Sequence, residues 1–160
     1  MSRMYKPVGG VESVTLYPAN AVVAALFSSE GCEVTLSMVT PTKIDLLDDR
    51  SFYEELSECK NGATKVTHTL HLEADRLLAS EWLDSTFLER CSIEGMMAIV
   101  SLCDGRRILV GYSSQFGNEQ PLRLKALTSS SGSRLHDTPT VTLQLVSHDT
   151  EFSKEILSLT

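Results

Sequence analysis

The chain has 160 residues, a net charge of −7 and a pI near 5.0. That length matches one domain, and its apolar fraction of 42% can fill a core without a metal or disulfide. The acidic balance argues against a phosphate-backbone binder, which carries a basic face.

The charge is unevenly placed. Asp45 to Glu58 holds six acids (Asp45, Asp48, Asp49, Glu54, Glu55, Glu58) against Arg50 alone. Gly105 to His136 holds five bases (Arg106, Arg107, Arg123, Lys125, Arg134) against Glu119 alone. Two readings follow: solvated surface regions, or an acidic segment of one subunit meeting the basic segment of the next. Cys32, Cys59, Cys91 and Cys103 form no Cys-x-x-Cys and read as reduced and mostly buried, in a protein made in the cytosol. The N-terminus lacks the apolar stretch of a secretory signal, and no run reaches membrane-spanning length.

In chain order, Met1 to Gly10 reads as a polar arm. Ala21 to Phe27 is an apolar run compatible with a buried strand or a helical turn. Cys32 to Thr40 alternates at period two; Pro41 interrupts this strand, and Ile44 and Leu46 continue the alternation beyond it. Ser51-Phe52-Tyr53-Glu54 has capping-box spacing, and Phe52, Leu56 and Cys59 then fall on one helical stripe; this predicts a short amphipathic helix leaving through Asn61-Gly62. Thr64 to Asp75 is the clearest strand, with Val66, His68, Leu70, Leu72 and Ala74 on its apolar side. A second helix is predicted from Glu81 to Cys91 with Ser80 as cap and Trp82, Leu83, Phe87, Leu88 and Cys91 inward.

Met96 to Cys103 and Arg107 to Tyr112 flank Asp104-Gly105, the pair that a two-residue type I′ hairpin favours. Both arms are apolar on both faces, which predicts a central position covered on each side. After Pro121, Leu122, Leu124 and Ala126 alternate with Arg123 and Lys125. Residues 128–139 read as a mobile polar loop, and Val141, Leu143 and Leu145 as the last half-buried strand. The sum is one β-rich domain over 1–160, mainly β (α+β): an antiparallel β-sandwich or partly closed barrel with two short helices.

Candidate chemistry is sparse. His68 and His71 have a spacing that chelates a metal on a helix but points to opposite faces on a strand, so His68 reads as a hydrogen-bonded core histidine. His71 and Glu73 share the wet face and can pair there. His136-Asp137 and His148-Asp149 sit in a loop and at a strand end, without the further ligands that a metal phosphohydrolase site needs. No nucleophile elbow, phosphate loop or dinucleotide glycine pattern is present. The expectation is no catalytic, cofactor-binding or metal residues. Nucleic acid is an unfavoured partner, because Arg106, Arg107, Arg123 and Lys125 lack interleaved aromatics.

Phe52-Tyr53-Glu54-Glu55, Gly62 and the strand VTHTLHLEAD are followed by a helix and the hairpin AIVSLCDGRRILVGY. Pro121-Leu122-Arg123, the Ser131-Gly132 turn with His136-Asp137, and the strand TVTLQLVSHD complete the series. As a succession of elements this resembles small phage and prophage tail proteins. The resemblance implies a tail-tube or connector subunit: a β-sandwich that assembles into rings, with loops reaching adjacent rings and no catalytic residues. The expected function is a self-assembling structural subunit, a homo-oligomer among neighbouring assembly proteins and carried in the virion if phage-derived. Its rivals are a β-sandwich protein-binding module and a small enzyme whose site forms only in three dimensions around His68, Cys59 or Cys103.

Overall fold

A computed structural model describes residues 9–47 and 50–159; most of the expected arm, residues 1–8, together with Asp48 and Asp49, lies outside them. The elements are β1 (Val11–Pro18), β2 (Val22–Phe27), β3 (Cys32–Leu36), β4 (Thr42–Ile44), β5 (Phe52–Lys60), β6 (Ala63–Asp75), α1 (Ser85–Glu89), β7 (Met96–Leu102), β8 (Arg107–Val110), β9 (Arg123–Ser130), β10 (Thr140–Asp149) and β11 (Ile156–Leu159). They build three sheets, in the orders β4-β1-β7-β8, β5-β6-β10-β9 and β11-β3-β2. All ladders are antiparallel except β11 on β3. The sheets stay open and form no barrel.

The first sheet is the middle layer. Its β7 reads Met96-Met97-Ala98-Ile99-Val100, buried throughout, because alternate residues enter two separate cores. Ala98 and Val100, with Val110 of β8 and Val14 and Leu16 of β1, pack against Leu70, Leu72, Val141, Leu143 and Leu145 of the β5-β6-β10-β9 sheet. Met97, Ile99 and Leu109 pack the other way, against Cys32, Val34 and Ile156 of the small third sheet. The doubly apolar hairpin arms are thus covered on both faces, but only β7 is central; β8, expected to be central too, borders its sheet. Each fully buried Leu or Ile here contributes about 1.5–3 kcal/mol of burial.

The helical content differs from expectation. Phe52 to Lys60 is a strand, paired with β6 from Phe52↔His71 to Lys60↔Ala63. Asn61 (φ 53°) and Gly62 (φ 79°) are both left-handed, so the two-residue type I′ turn is here, not a helix exit. Ser51 does not cap a helix; its Oγ accepts from the Glu73 amide at 3.0 Å. The stripe spacing misled because Phe52 and Leu56 also share a face on a strand, and most of β5 is exposed, which removes the usual alternation.

The second helix begins later than expected. Asp84, rather than Ser80, caps it by accepting from the Phe87 amide at 2.8 Å. A 3-10 turn (Leu78–Glu81) precedes it, and a π turn (Arg90–Glu94) follows. Phe87 and Cys91 are buried, and Trp82 meets Phe87 edge-on at 4.9 Å.

Asp104-Gly105 makes a hairpin, but of another type. The Gly105 amide bonds Leu102 O at 3.1 Å, the Leu102 amide bonds Arg106 O at 2.8 Å, and only Gly105 has positive φ. The loop therefore has three residues, a type I turn closed by a glycine bulge. Asp104 secures it by accepting from the Arg106 amide and guanidinium. The expected loop 128–139 is shorter, since β9 runs to Ser130 and the β10 ladder opens at Thr140↔Ser130. β10 is not the final strand; β11 follows and completes the third sheet.

Candidate functional site

Two places gather polar or charged side chains in a defined arrangement. The first is a polar cluster on the inner face of β5 and β6. His68 is 3% exposed. Its Nε2 lies 3.1 Å from Glu151 O, and since a carbonyl only accepts, Nε2 carries the hydrogen and Nδ1 is the acceptor. Tyr53 Oη lies 2.5 Å and Ser153 Oγ 3.0 Å from that Nδ1, and the two hydroxyls are 2.7 Å from each other. Glu55, two residues along β5, accepts from the Ser153 amide at 3.2 Å.

Burial sets the electrostatics of this cluster. It pushes His68 below the ordinary imidazole range, only partly countered by Asp149 and the Glu151 carbonyl. It pushes the Tyr53 phenol well above its usual range, with Glu55 adding to the rise. It raises Glu55 as well, against the lowering effect of the Ser153 amide and the Tyr53 hydroxyl.

Ser153 beside a neutral imidazole has the ingredients of an activated nucleophile. Here the acceptor nitrogen is already engaged by the phenol, and the cavity bordered by His68, Ser147 and Ser153 is about 10 Å³, room for roughly one water. What the bonds accomplish is to tie the 151–153 segment, between β10 and β11, onto β5 and β6.

The remaining sequence candidates are dispersed. His68 is a core histidine with both nitrogens bonded, as its place on the apolar face implies. His71 is on the opposite face, where it stacks on Phe52 at 4.7 Å, while Glu73 pairs with Arg50 at 3.6 Å instead. Asp137 closes a turn by accepting from the Ser133 and Arg134 amides, which lowers its pKa. His148 Nδ1 faces Thr67 Oγ1 at 3.4 Å, and Asp149 accepts from the Thr150 amide. Among the described residues, no three His, Cys, Asp or Glu side chains are placed to share a metal ion. Cys32 and Cys91 are buried, with thiols pushed up to about 11 and about 12 by burial. Cys103 is half-buried. Cys59, expected inside a helix stripe, is exposed on β5, its Sγ 3.6 Å from Thr64 Oγ1.

The second place is the pair of edges of the β5-β6-β10-β9 sheet. β5 forms one border and β9 the other, nine and eight residues long. On the outer face β5 carries Phe52, Glu54, Leu56 and Glu58, with Phe52 46% and Leu56 55% exposed. On β9 the exposed charges are Arg123 and Lys125. A bulge shifts the β9 ladder between its Leu124 and Ala126 pairings. It brings Leu124 and Leu127 to the core and leaves Ala126 outside, where strict alternation had put Ala126 in. Arg123, Val146, Thr69 and Glu54 line up as one row across the four strands.

The hairpin that begins on β5 also overhangs the sandwich: every residue from Leu56 to Lys65 is exposed. The basic segment seen in the sequence divides in three. Arg106 and Arg107 lie at the β7–β8 turn, Arg123 and Lys125 on β9, and Arg134 in the β9–β10 turn. Among the described residues, no helix is long and apolar enough to cross a membrane. Comparison with protein-family models, curated proteins and solved structures gave no match.

Proposed function

We propose that this protein is a structural subunit that assembles with copies of itself through the borders of its β5-β6-β10-β9 sheet. The observation that carries this reading is β5. It is a nine-residue border strand with an unbroken ladder to β6 on one side and, among the described residues, no strand on the other. Border strands in monomers are commonly shortened, bulged, interrupted by proline or covered. β5 has neither proline nor bulge, and it presents Phe52 and Leu56 beside its unpaired edge. The overhanging 56–65 hairpin supplies a projecting arm of the kind an assembling subunit uses to reach a neighbour.

The narrower reading, a phage-type tail-tube or connector subunit carried in the virion, rests on the resemblance in element order. An open β-sandwich with a projecting hairpin is compatible with it. The reading assigns no catalytic residue, and the polar cluster around His68 then serves to fix the segment that leads into β11. Size-exclusion chromatography with light scattering, run across protein and salt concentration, tests it. The expected result is a mass that grows with concentration; a strict monomer throughout would overturn self-assembly and favour a module that binds a different protein.

A further inference from the structure

The two borders of the β5-β6-β10-β9 sheet carry opposite charge, and we infer that β9 of one copy docks antiparallel on β5 of the next, a head-to-tail joint that continues the sheet from subunit to subunit. This rests on the self-assembly reading and adds which surfaces meet and in what sense.

Strand direction comes first. Each of the three ladders in this sheet is antiparallel, so β5 and β9 point in opposite directions. A copy displaced sideways in the sheet plane, without rotation, therefore brings its β5 to β9 in the antiparallel sense that the whole sheet already uses.

Charge then selects among the possible joints. Glu54 and Glu58 on β5 and Arg123 and Lys125 on β9 are exposed. Among the described residues, none of the four is in an ion pair within the chain. A two-fold β5–β5 joint would bring acidic borders together, and a β9–β9 joint basic ones; like charges across strands oppose pairing. Only β9 on β5 sets bases against acids.

The side-chain faces also agree. Arg123 and Glu54 occupy one row of the sheet, so a level joint sets Arg123 beside Glu54 of the next copy, but it overlaps β5 only at Phe52, Tyr53 and Glu54. A slide of four residues sets Arg123 beside Glu58 and brings most of β9 alongside β5. Even slides match the faces of the two copies up to the bulge at Lys125, and odd ones are excluded because they would set the outer face of one border against the inner face of the other. If the small rotation between copies closes, this heterologous contact yields a ring; if it does not, it yields a filament.

Charge reversal at each border tests the joint. Arg123→Glu with Lys125→Glu makes both borders acidic, and Glu54→Lys with Glu58→Lys makes both basic. All four positions are exposed, and unchanged circular dichroism and melting will verify that each variant folds. Light scattering is expected to show self-association weakened about tenfold or more in either variant alone. It should return when the two variants are mixed, because each then offers the border that the other lacks, and also in one chain carrying all four changes.

Wild-type association that falls as salt rises, together with rescue on mixing, would support the joint. Variants that associate as the wild type does would overturn it while leaving self-assembly standing, by way of another surface. A wild-type chain that is monomeric at every concentration would overturn both.

Discussion

Replacing His68 with Gln should remove a component of the pH dependence of stability that only a buried, neutral imidazole supplies. His68 is 3% exposed, its Nε2 donates to the Glu151 carbonyl and its Nδ1 accepts from the hydroxyl pair of Tyr53 and Ser153, an arrangement that suits the neutral ring; protonation would require a hydroxyl to turn and accept, at the cost of a buried charge. Its folded pKa is accordingly lowered, chiefly by desolvation. In the unfolded chain the ring titrates near pH 6.5.

The unfolded state therefore binds the extra proton first as pH falls. The stability that His68 contributes is fully present above about pH 6.5 and is lost progressively below it, down to the folded pKa. At about pH 5.5 the loss is at most about 1.4 kcal/mol, since one pH unit below the unfolded pKa corresponds to a roughly tenfold bias. For a domain of this size that is about 3–6 °C in melting temperature. Glu55 has the opposite sign: its raised pKa makes it easier to protonate in the fold, and acid relieves it. That slope is shared by both proteins and largely cancels in the comparison.

Urea denaturation of wild type and His68→Gln at about pH 7.5 and about pH 5.5 provides the measurement, with the difference of differences as the readout. The variant will be less stable at both values because two hydrogen bonds change. Its stability should fall less between them, by up to about 1.4 kcal/mol. Equal losses in the two proteins would refute the account of His68 as a buried neutral group.

Three further outcomes follow from packing. Leu143→Ala empties a fully buried site in the larger core and should cost about 2–5 kcal/mol in denaturant midpoint analysis, whereas Leu135→Ser, at a fully exposed position, should change stability by less than about 0.5 kcal/mol. Gly31→Ala would place a Cβ 2.3 Å from Glu155 O, so β11 must shift away from β3. The cost should be about 1–3 kcal/mol, with faster amide exchange concentrated in β11 and β3. In the native protein at mildly alkaline pH, Cys59 should alkylate first and Cys32 and Cys91 last; mass spectrometry of a timed reaction reads the order directly.

The parts of the fold legible from sequence are those where one local pattern had a single physical solution. Val66 to Ala74 alternates over a length that only a half-buried strand explains, and the doubly apolar Met96 to Val100 requires cover on both sides. The third sheet was beyond reach, because β11 pairs with β3 across nearly the whole chain and no local signal announces a parallel partner. At Phe52 to Cys59 local signals pointed the wrong way. The capping-box letters and helical spacing were real, but the Asn61-Gly62 turn and the long β6 offered a ladder that outweighed them.

The same holds for the site. His68 was legible as a bonded core histidine, but its partners come from β5 and from the segment at 151–153, fifteen residues before it and more than eighty after. The acidic and basic segments were visible as blocks of charge. That Glu54 and Arg123 stand at opposite borders of one sheet required the strand order.

The parallel pairing of β11 with β3 also has a consequence for how the chain is made. β3 leaves the ribosome long before β11, which emerges after every other strand in the described chain. Until it does, the side of Met97, Ile99 and Leu109 that Ile156 covers stays open to solvent. The fold thus carries its own completion check: a chain stopped short of Ile156 retains an unclosed apolar strip. That strip is the kind of surface that chaperones hold and proteases find.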